Sequence, residues 1–500
     1  MSALSSGGAV TQLVAQGMAD AVLTGNPQVT FWRFVAKAYT NFALETQDLD
    51  FTSGLPQFGQ SPKVNLDRVG DLIYYTYLIV DLPGIALVGP TPATKPSDST
   101  AVIVTNPDSD GNNPEPYWTR AIGQAIIENV AFFIGGQSID TFSSTFMYIW
   151  EELTGQPGKR LVEMTGNYRC EMALQTASRQ SRRLYIPLPL WYTYNSGLAL
   201  SLTSLQFHSV SIQLKLRDVK HLIRIPEASL KKGYNMSHVY VRPNFEPEVY
   251  DGPGAIQPAS QLVSIVQNSS LIGAQIEVCY VYLDQKERSK FADGAFEQLI
   301  IEHQEASTDL QNAVTVPLGV SSSHKKINFD LSFNHTIISL FWCARMGVRG
   351  AWSGTATTPV SDKFNDWFNF SGPDDVVTKL PIDPVVSIQL RLNNSVRFGE
   401  TEGRYFRLVQ PYQHHTNIPR DHVYTYSFAL QPEDVQPSGS CNFSRIDNTQ
   451  LQITFDRRLF YGPSQAGGSD NNSGVSFMVF ATNWNILRFK FGLGGKRFAS

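Results

Sequence analysis

Apolar and polar residues alternate with a period of two along several stretches of the chain. Val210, Ile212, Leu214 and Leu216 fall on one side of such a stretch, and Ser209, Ser211, Gln213, Lys215 and Arg217 on the other. That is the pattern of a strand with one buried face. The same period runs through Val386, Ile388, Leu390 and Leu392, and through Leu451, Ile453 and Phe455. The most apolar stretch, Leu72 to Val88, is interrupted by Asp81 and Pro83 and predicts a strand with its turn rather than a membrane span. Helical spacing is scarce. Its clearest instance is Val10, Leu13, Val14, Gly17, Ala21 and Val22, ahead of the turn residues 24–27, which predicts one short amphipathic helix. The chain is therefore predicted to be all-β.

The two halves repeat one set of landmarks. The strand around Glu45 and Gln47 matches that around Glu302 and Gln304. Gly135-Gly136 matches Asn393-Asn394 at an offset of 258, and both dipeptides suit the positive φ angles of a type I′ hairpin turn. Further on, YIPLPL (185–190) and the strand from Val210 match YTYSFAL (424–430) and the strand from Leu451 at offsets of 239 to 242. The shorter offset places extra residues in the first half, at 151–183, where a short helix is expected. A second excess, the proline-rich 218–273, is read as a surface excursion. Two such halves, each with about eight strands and long connections, fit two consecutive eight-stranded jelly rolls better than immunoglobulin-like domains. The expected division is an N-terminal arm at 1–27, a first roll at 28–290 and a second at 291–500.

Composition changes this picture little. Charged residues make up only 17% of the chain and aromatic residues 12%, which suits burial in interfaces. A net charge of −4 argues against a protein that works by neutralising phosphates, so no direct nucleic-acid contact is expected. The four cysteines (Cys170, Cys279, Cys343 and Cys441) are widely spaced, which points to reduced thiols. There is no GxSxG elbow and no GxxxxGK[ST] loop. The only histidine pair, His414-His415, would point to opposite faces of a strand. No metal or cofactor is expected. The densest cluster of reactive side chains is 436–448, QPSGSCNFSRIDN. Cys441 with His414, His415 or His422 nearby would be one way to build a nucleophile. The corresponding place in the first half, 195–209, has no such side chains. Cys441, Asn442, Phe443, Ser444, Arg445 and Asp447 are accordingly read as fixing the turn into a core strand, with Arg445 and Asp447 pairing or bonding to backbone, and as a contact between protomers.

Several long motifs resemble the major capsid proteins of the nucleocytoplasmic large DNA viruses. They are QLVAQGMADAVLTGNPQVTFWR (12–33), YTNFALE (39–45), LDQKERSKFA (283–292), PSGSCNFSRIDN (437–448) and NWNILRFKFGLGG (483–495). The resemblance implies a double jelly roll with no catalytic residues. It implies a homotrimer forming a pseudo-hexagonal capsomer that tiles an icosahedral shell over an internal membrane, with neighbouring capsomers and minor capsid proteins as partners. It places the arm, with Val10, Leu13, Val14 and Leu23, on the inner face, and the long loops at the outer end, where a host receptor would bind. It also implies residence in the virion after assembly in the host cytoplasm.

Two other roles are distinguishable. One is a transient scaffold of the poxvirus type. The other is a glycan-binding jelly roll using loop aromatics such as Trp352 and Trp367. Among the Asn-x-Ser/Thr triplets, Asn235, Asn268 and Asn471 are candidate glycosylation sites.

Overall fold

The computed structural model describes residues 7–28, 30–32, 36–89, 100–103, 115–226, 229–230, 239–241, 256–258, 263–264, 271–310, 324–350, 364–374, 378, 380–459 and 474–498. Residues 1–42 form a unit of their own. Within it the expected single helix is two, Gly7–Val14 and Met18–Thr24, neither with a buried residue. Gly17 stands between them, and its N–H donates to the Asp20 carboxylate at 2.8 Å, which starts the second helix afresh.

The rest of the chain is built on sixteen principal strands. The first eight are β1 (Phe42–Leu49), β2 (Lys63–Leu66), β3 (Leu72–Leu82), β4 (Ile127–Ile134), β5 (Gln137–Ser143), β6 (Arg182–Pro187), β7 (Val210–Leu216) and β8 (Gly273–Leu283). The second eight are β9 (Phe296–Leu310), β10 (Lys325–Asp330), β11 (Thr336–Met346), β12 (Val385–Leu392), β13 (Ser395–Glu402), β14 (Val423–Ser427), β15 (Thr449–Phe455) and β16 (Val475–Lys490). In the first set, β1-β8-β3-β6 form one sheet and β2-β7-β4-β5 the other. In the second set the orders are β9-β16-β11-β14 and β10-β15-β12-β13. Adding eight to each strand number converts one set into the other. Each set is an eight-stranded jelly roll, and the fold is two consecutive jelly rolls. The helix Gln285–Asp293 connects β8 to β9, and the expected junction at 290/291 lies within it.

The turns that match in sequence also match in space. Gly135 and Gly136 (φ 58° and 84°) join β4 to β5, and Asn393 and Asn394 (φ 48° and 63°) join β12 to β13. Positive φ at both central positions lets a two-residue loop follow the right-handed strand twist. The alternation in β7 and β15 holds, with Ile212, Leu214, Leu451, Ile453 and Phe455 all in the cores. In β12 it slips. A bulge between Val385 and Ser387 brings Val385, not Val386, into the core.

Two expectations about insertions change. The helical region starts earlier than residue 151, with a helix at Ser144–Thr154, followed by Val162–Thr165 and Glu171–Ser178. Phe146, Ile149, Trp150 and Leu153 supply its buried side, so apolar spacing outweighs the polar character of the segment after it. The stretch 218–273 is not simply a surface excursion. Leu222, Ile223, Ile225, Val239, Val241 and Leu271 are buried, and Val239–Val241 pairs with Ile85–Gly89.

Candidate functional site

In the second roll's sheet β9-β16-β11-β14, β11 and the first half of β16 are buried on both faces, which is why β11 reads as a near-continuous apolar run. Leu340, Trp342, Ala344 and Met346 point into the second roll's own core. Ile338, Phe341 and Cys343 point the other way, into the large core shared with the first roll. In β16, Phe477, Val479 and Ala481 face inward, and Met478 and Phe480 face the first roll. The functional element of this chain is therefore a seam that fixes two jelly rolls side by side.

The helix Ser144–Thr154, in the connection from β5 to β6, supplies the apolar side of the seam. Phe146 and Trp150, one turn apart, lie on this sheet. The Phe146 ring is 6.3 Å from Phe341, 6.1 Å from Phe480 and 4.3 Å from His303. Trp150 is 6.3 Å from Phe341. Beside them Asp140 of β5 accepts two bonds from β9, at 3.0 Å from the His303 N–H and 2.8 Å at Nδ1.

A polar cluster closes one end. The Asp421 carboxylate pairs with Arg120 at 3.2 Å and Arg169 at 3.1 Å and accepts the Tyr148 hydroxyl. Burial by itself would raise the Asp421 carboxyl, but Arg120 and then Arg169 outweigh it and hold the group below the usual aspartate range. Tyr148 stacks on Phe368 at 4.4 Å, and Arg120 donates to the Phe368 carbonyl at 2.7 Å. Trp367 is clamped nearby. Its indole N–H donates to the His221 carbonyl at 2.8 Å, and the Arg217 and Arg345 guanidiniums lie 3.9 and 4.8 Å from its ring centre. Burial, and then Arg345, push Arg217 down to about 9. Trp367 is thus a seam residue rather than a loop aromatic offered to a glycan. Trp352 lies outside the described residues.

A cleft of about 760 Å³ opens beside the seam, lined by Gln124, Trp150, Glu151, Tyr168, Arg169 and Arg420 among others. Burial pushes the Glu151 carboxyl up to about 7, Gln124 opposes the shift by donating a hydrogen bond, and Glu152 adds to it. A raised carboxyl binds more protons folded than unfolded, so its contribution to stability falls as pH rises from the ordinary glutamate range through about 7. Glu151→Gln should therefore gain at most about 3 kcal/mol at pH 8, since one pKa unit is worth about 1.4 kcal/mol. The gain should vanish near pH 4. Urea titrations at the two pH values check this.

The motif at 441–447 is a turn closed by short side chains. Cys441 and Asn442 pair with Thr336 and Ile337 at the start of β11. Phe443 is buried in the second core, with half-buried Cys441 packed against that core. The Asn442 side chain accepts the Ser444 N–H at 3.1 Å, and the Ser444 hydroxyl accepts the His335 N–H at 2.8 Å. Arg445 and Asp447 are exposed, and among the described residues they form no ion pair or side-chain hydrogen bond. The turn closes through short side chains because Asn and Ser reach adjacent N–H groups that a long arginine overshoots. Burial raises the Cys441 thiol, which disfavours the thiolate. The three histidines look elsewhere: His414 to the Leu430 carbonyl, His415 to Glu433 and His422 to Asp383. His414 ends a helix, Gln410–His414, not a strand.

Val10, Leu13, Val14 and Leu23 are exposed on the arm's helices. Asn235, Asn268 and Asn471 lie outside the described residues. Sequence reasoning missed Asp421, Arg120, His303 and Asp140. The signal within reach was the spacing of Phe142, Phe146 and Trp150.

Two jelly rolls locked by a buried seam define the class of double jelly-roll capsid subunits. A family described as the large eukaryotic DNA virus major capsid protein matches residues 287–495, and one described as the major capsid protein N-terminus matches residues 30–284. The major capsid protein of Chrysochromulina ericina virus is 30% identical over 99% of this chain and 100% of its own length. That of Phaeocystis pouchetii virus is 29% identical over the same shares. A solved structure of the PBCV-1 virus capsid matches with a TM-score of 0.63 at 26% identity, covering 94% of this chain and 100% of that one. The chain belongs to the major capsid protein family of large eukaryotic DNA viruses. It is a structural component of the virion, and that family is not enzymatic.

Proposed function

We propose that the chain acts as a homotrimer whose six jelly rolls form one pseudo-hexagonal capsomer. The observation that carries this is the seam, which fixes two copies of one architecture side by side, so that three chains supply six equivalent wall units. The exposed apolar residues Val10, Leu13, Val14 and Leu23 suit an arm that is buried against minor capsid proteins or the internal membrane beneath the shell. Arg445 and Asp447, exposed on a tightly held turn, suit a contact between protomers. The outer loops would meet a host receptor, with assembly in the host cytoplasm.

The solution mass tests the central claim. Native mass spectrometry should give about three times 55.6 kDa, and negative-stain images should show pseudo-hexagonal particles. A stable monomer would overturn the reading. Arg445→Ala should leave monomer stability within about 0.5 kcal/mol, as for other exposed positions, and weaken the trimer. Trimers that dissociate at the wild-type concentration would remove Arg445 from the contact.

A further inference from the structure

The long strand β16 ends in a tight hairpin whose return strand, Leu493–Lys496, pairs back on it with Lys496 opposite Leu487. The hairpin also holds the first roll. The Phe207 N–H donates to the Gly492 carbonyl at 3.0 Å, and His208 Nδ1 lies 2.9 Å from the Gly494 carbonyl. Because side chains alternate along a strand, Lys496, Leu487 and Asn485 share one face, and Lys496 and Asn485 are diagonal neighbours, a spacing that a long side chain crosses. Glu302 of β9 stands opposite Asn483 on that same face.

One carboxylate there touches both an amine and a carboxamide. Glu302 Oε1 lies 3.3 Å from Lys496 Nζ, and its Oε2 accepts from Asn485 Nδ2 at 2.9 Å and from Asn483 Nδ2 at 3.3 Å. Glu302 is 5% exposed and Asn485 2%, so water has little access to the group. The Asn485 carboxamide is also fixed and polarised. Its Nδ2 donates to the Phe498 carbonyl at 2.9 Å, and its Oδ1 accepts the Ile486 N–H at 2.7 Å. A donor on Oδ1 draws electrons from Cγ and stabilises negative charge that develops on the oxygen when a nucleophile adds. Asn483 lies farther along β16 from the residue facing Lys496, and its Oδ1 is taken by the Gln304 side chain.

We propose that Lys496 and Asn485 join through an isopeptide bond, with Glu302 as the proton carrier. Lys496 passes one proton to Glu302, and the neutral amine attacks Asn485 Cγ, forming an Nζ–Cγ bond. Glu302 then gives its proton to Nδ2 and takes the second proton from Nζ as the Cγ–Nδ2 bond breaks. The released ammonia carries that last proton away as ammonium. Glu302 is again a carboxylate, and no oxidant, reductant or other reactant is consumed. The bond closes the hairpin covalently, so the strand that holds Phe207 and His208 of the first roll cannot peel away from β16.

The test is mass spectrometry of the purified full-length chain, denatured and digested with trypsin. Trypsin does not cut after an acylated lysine, so the peptide ending at Arg488 should appear joined to 491–497, the pair lighter than its two parts by one ammonia. Fragmentation should place the branch at Asn485. Glu302→Gln, Lys496→Met and Asn485→Ala should each give the two segments unlinked, with no ammonia lost. Unlinked segments in the wild-type chain would overturn the bond, and this reading does not depend on any variant folding. So would an ammonia lost without a branch, the mark of a ring closed within one asparagine. A branch at Asn483 would remove Asn485 from the reaction, and a linked pair in Glu302→Gln would remove Glu302 as the proton carrier.

Discussion

Replacing Asp421 with alanine should cost about 3–5 kcal/mol, the usual loss when one partner of a buried charge cluster is removed. The carboxylate is only 13% exposed and takes three partners from the first roll, Arg120, Tyr148 and Arg169. Arg120 is itself 15% exposed, so without Asp421 its charge stays in the seam with less to compensate it. The effect should depend on pH in a defined way. Arg120 and Arg169 hold the Asp421 carboxyl below its ordinary value, so its contribution is complete above the unfolded aspartate range and is lost as pH falls through the lower, folded value. Urea midpoints of wild type and Asp421→Ala should therefore be far apart at pH 7 and draw together below about pH 4. Equal midpoints at pH 7 would show that the cluster does not hold the rolls together.

Phe146→Ala should cost a similar amount, about 3–5 kcal/mol for a buried phenylalanine. The ring is 1% exposed and lies among Trp150, His303, Phe341 and Phe480. These rings come from both rolls and cannot all close over the gap without moving a helix or a sheet. Val396→Ala, at a position 52% exposed on β13, is the control and should stay within about 0.5 kcal/mol. Denaturation followed by tryptophan fluorescence suits both variants, since Trp150 and Trp367 report on the seam. A Phe146→Ala midpoint matching that of Val396→Ala would mean the rolls are held elsewhere.

Much of this architecture was legible locally. A strand's side chains alternate whatever lies around it, so the inward positions of β7 and β15 could be read directly. The dipeptides Gly135-Gly136 and Asn393-Asn394 specify their hairpins because few residues accept positive φ twice in succession. The offset between these landmarks exposed the duplication. Where the apolar period misled, a strand bulge or a side-chain hydrogen bond to backbone had changed it. A bulge moved Val385 into the place read for Val386. A glycine and an aspartate split the arm's helix. In the turn at 441–447, the short Asn442 and Ser444 did the work assigned to Arg445 and Asp447.

The seam belongs to a different level. The run IISLFWCA (337–344) shows that both faces of β11 are buried, but no period in it says that one face meets its own roll and the other meets Phe146 and Trp150. Arg120 and Asp421 are 301 residues apart in the chain, and nothing local to either marks the other. By itself, then, the sequence determined two jelly rolls, their hairpins and their inward faces, because those follow from backbone geometry and side-chain period over a few residues. The strand order and the seam were decided only by the tertiary structure, because burial of a second sheet face depends on which distant surface fits it.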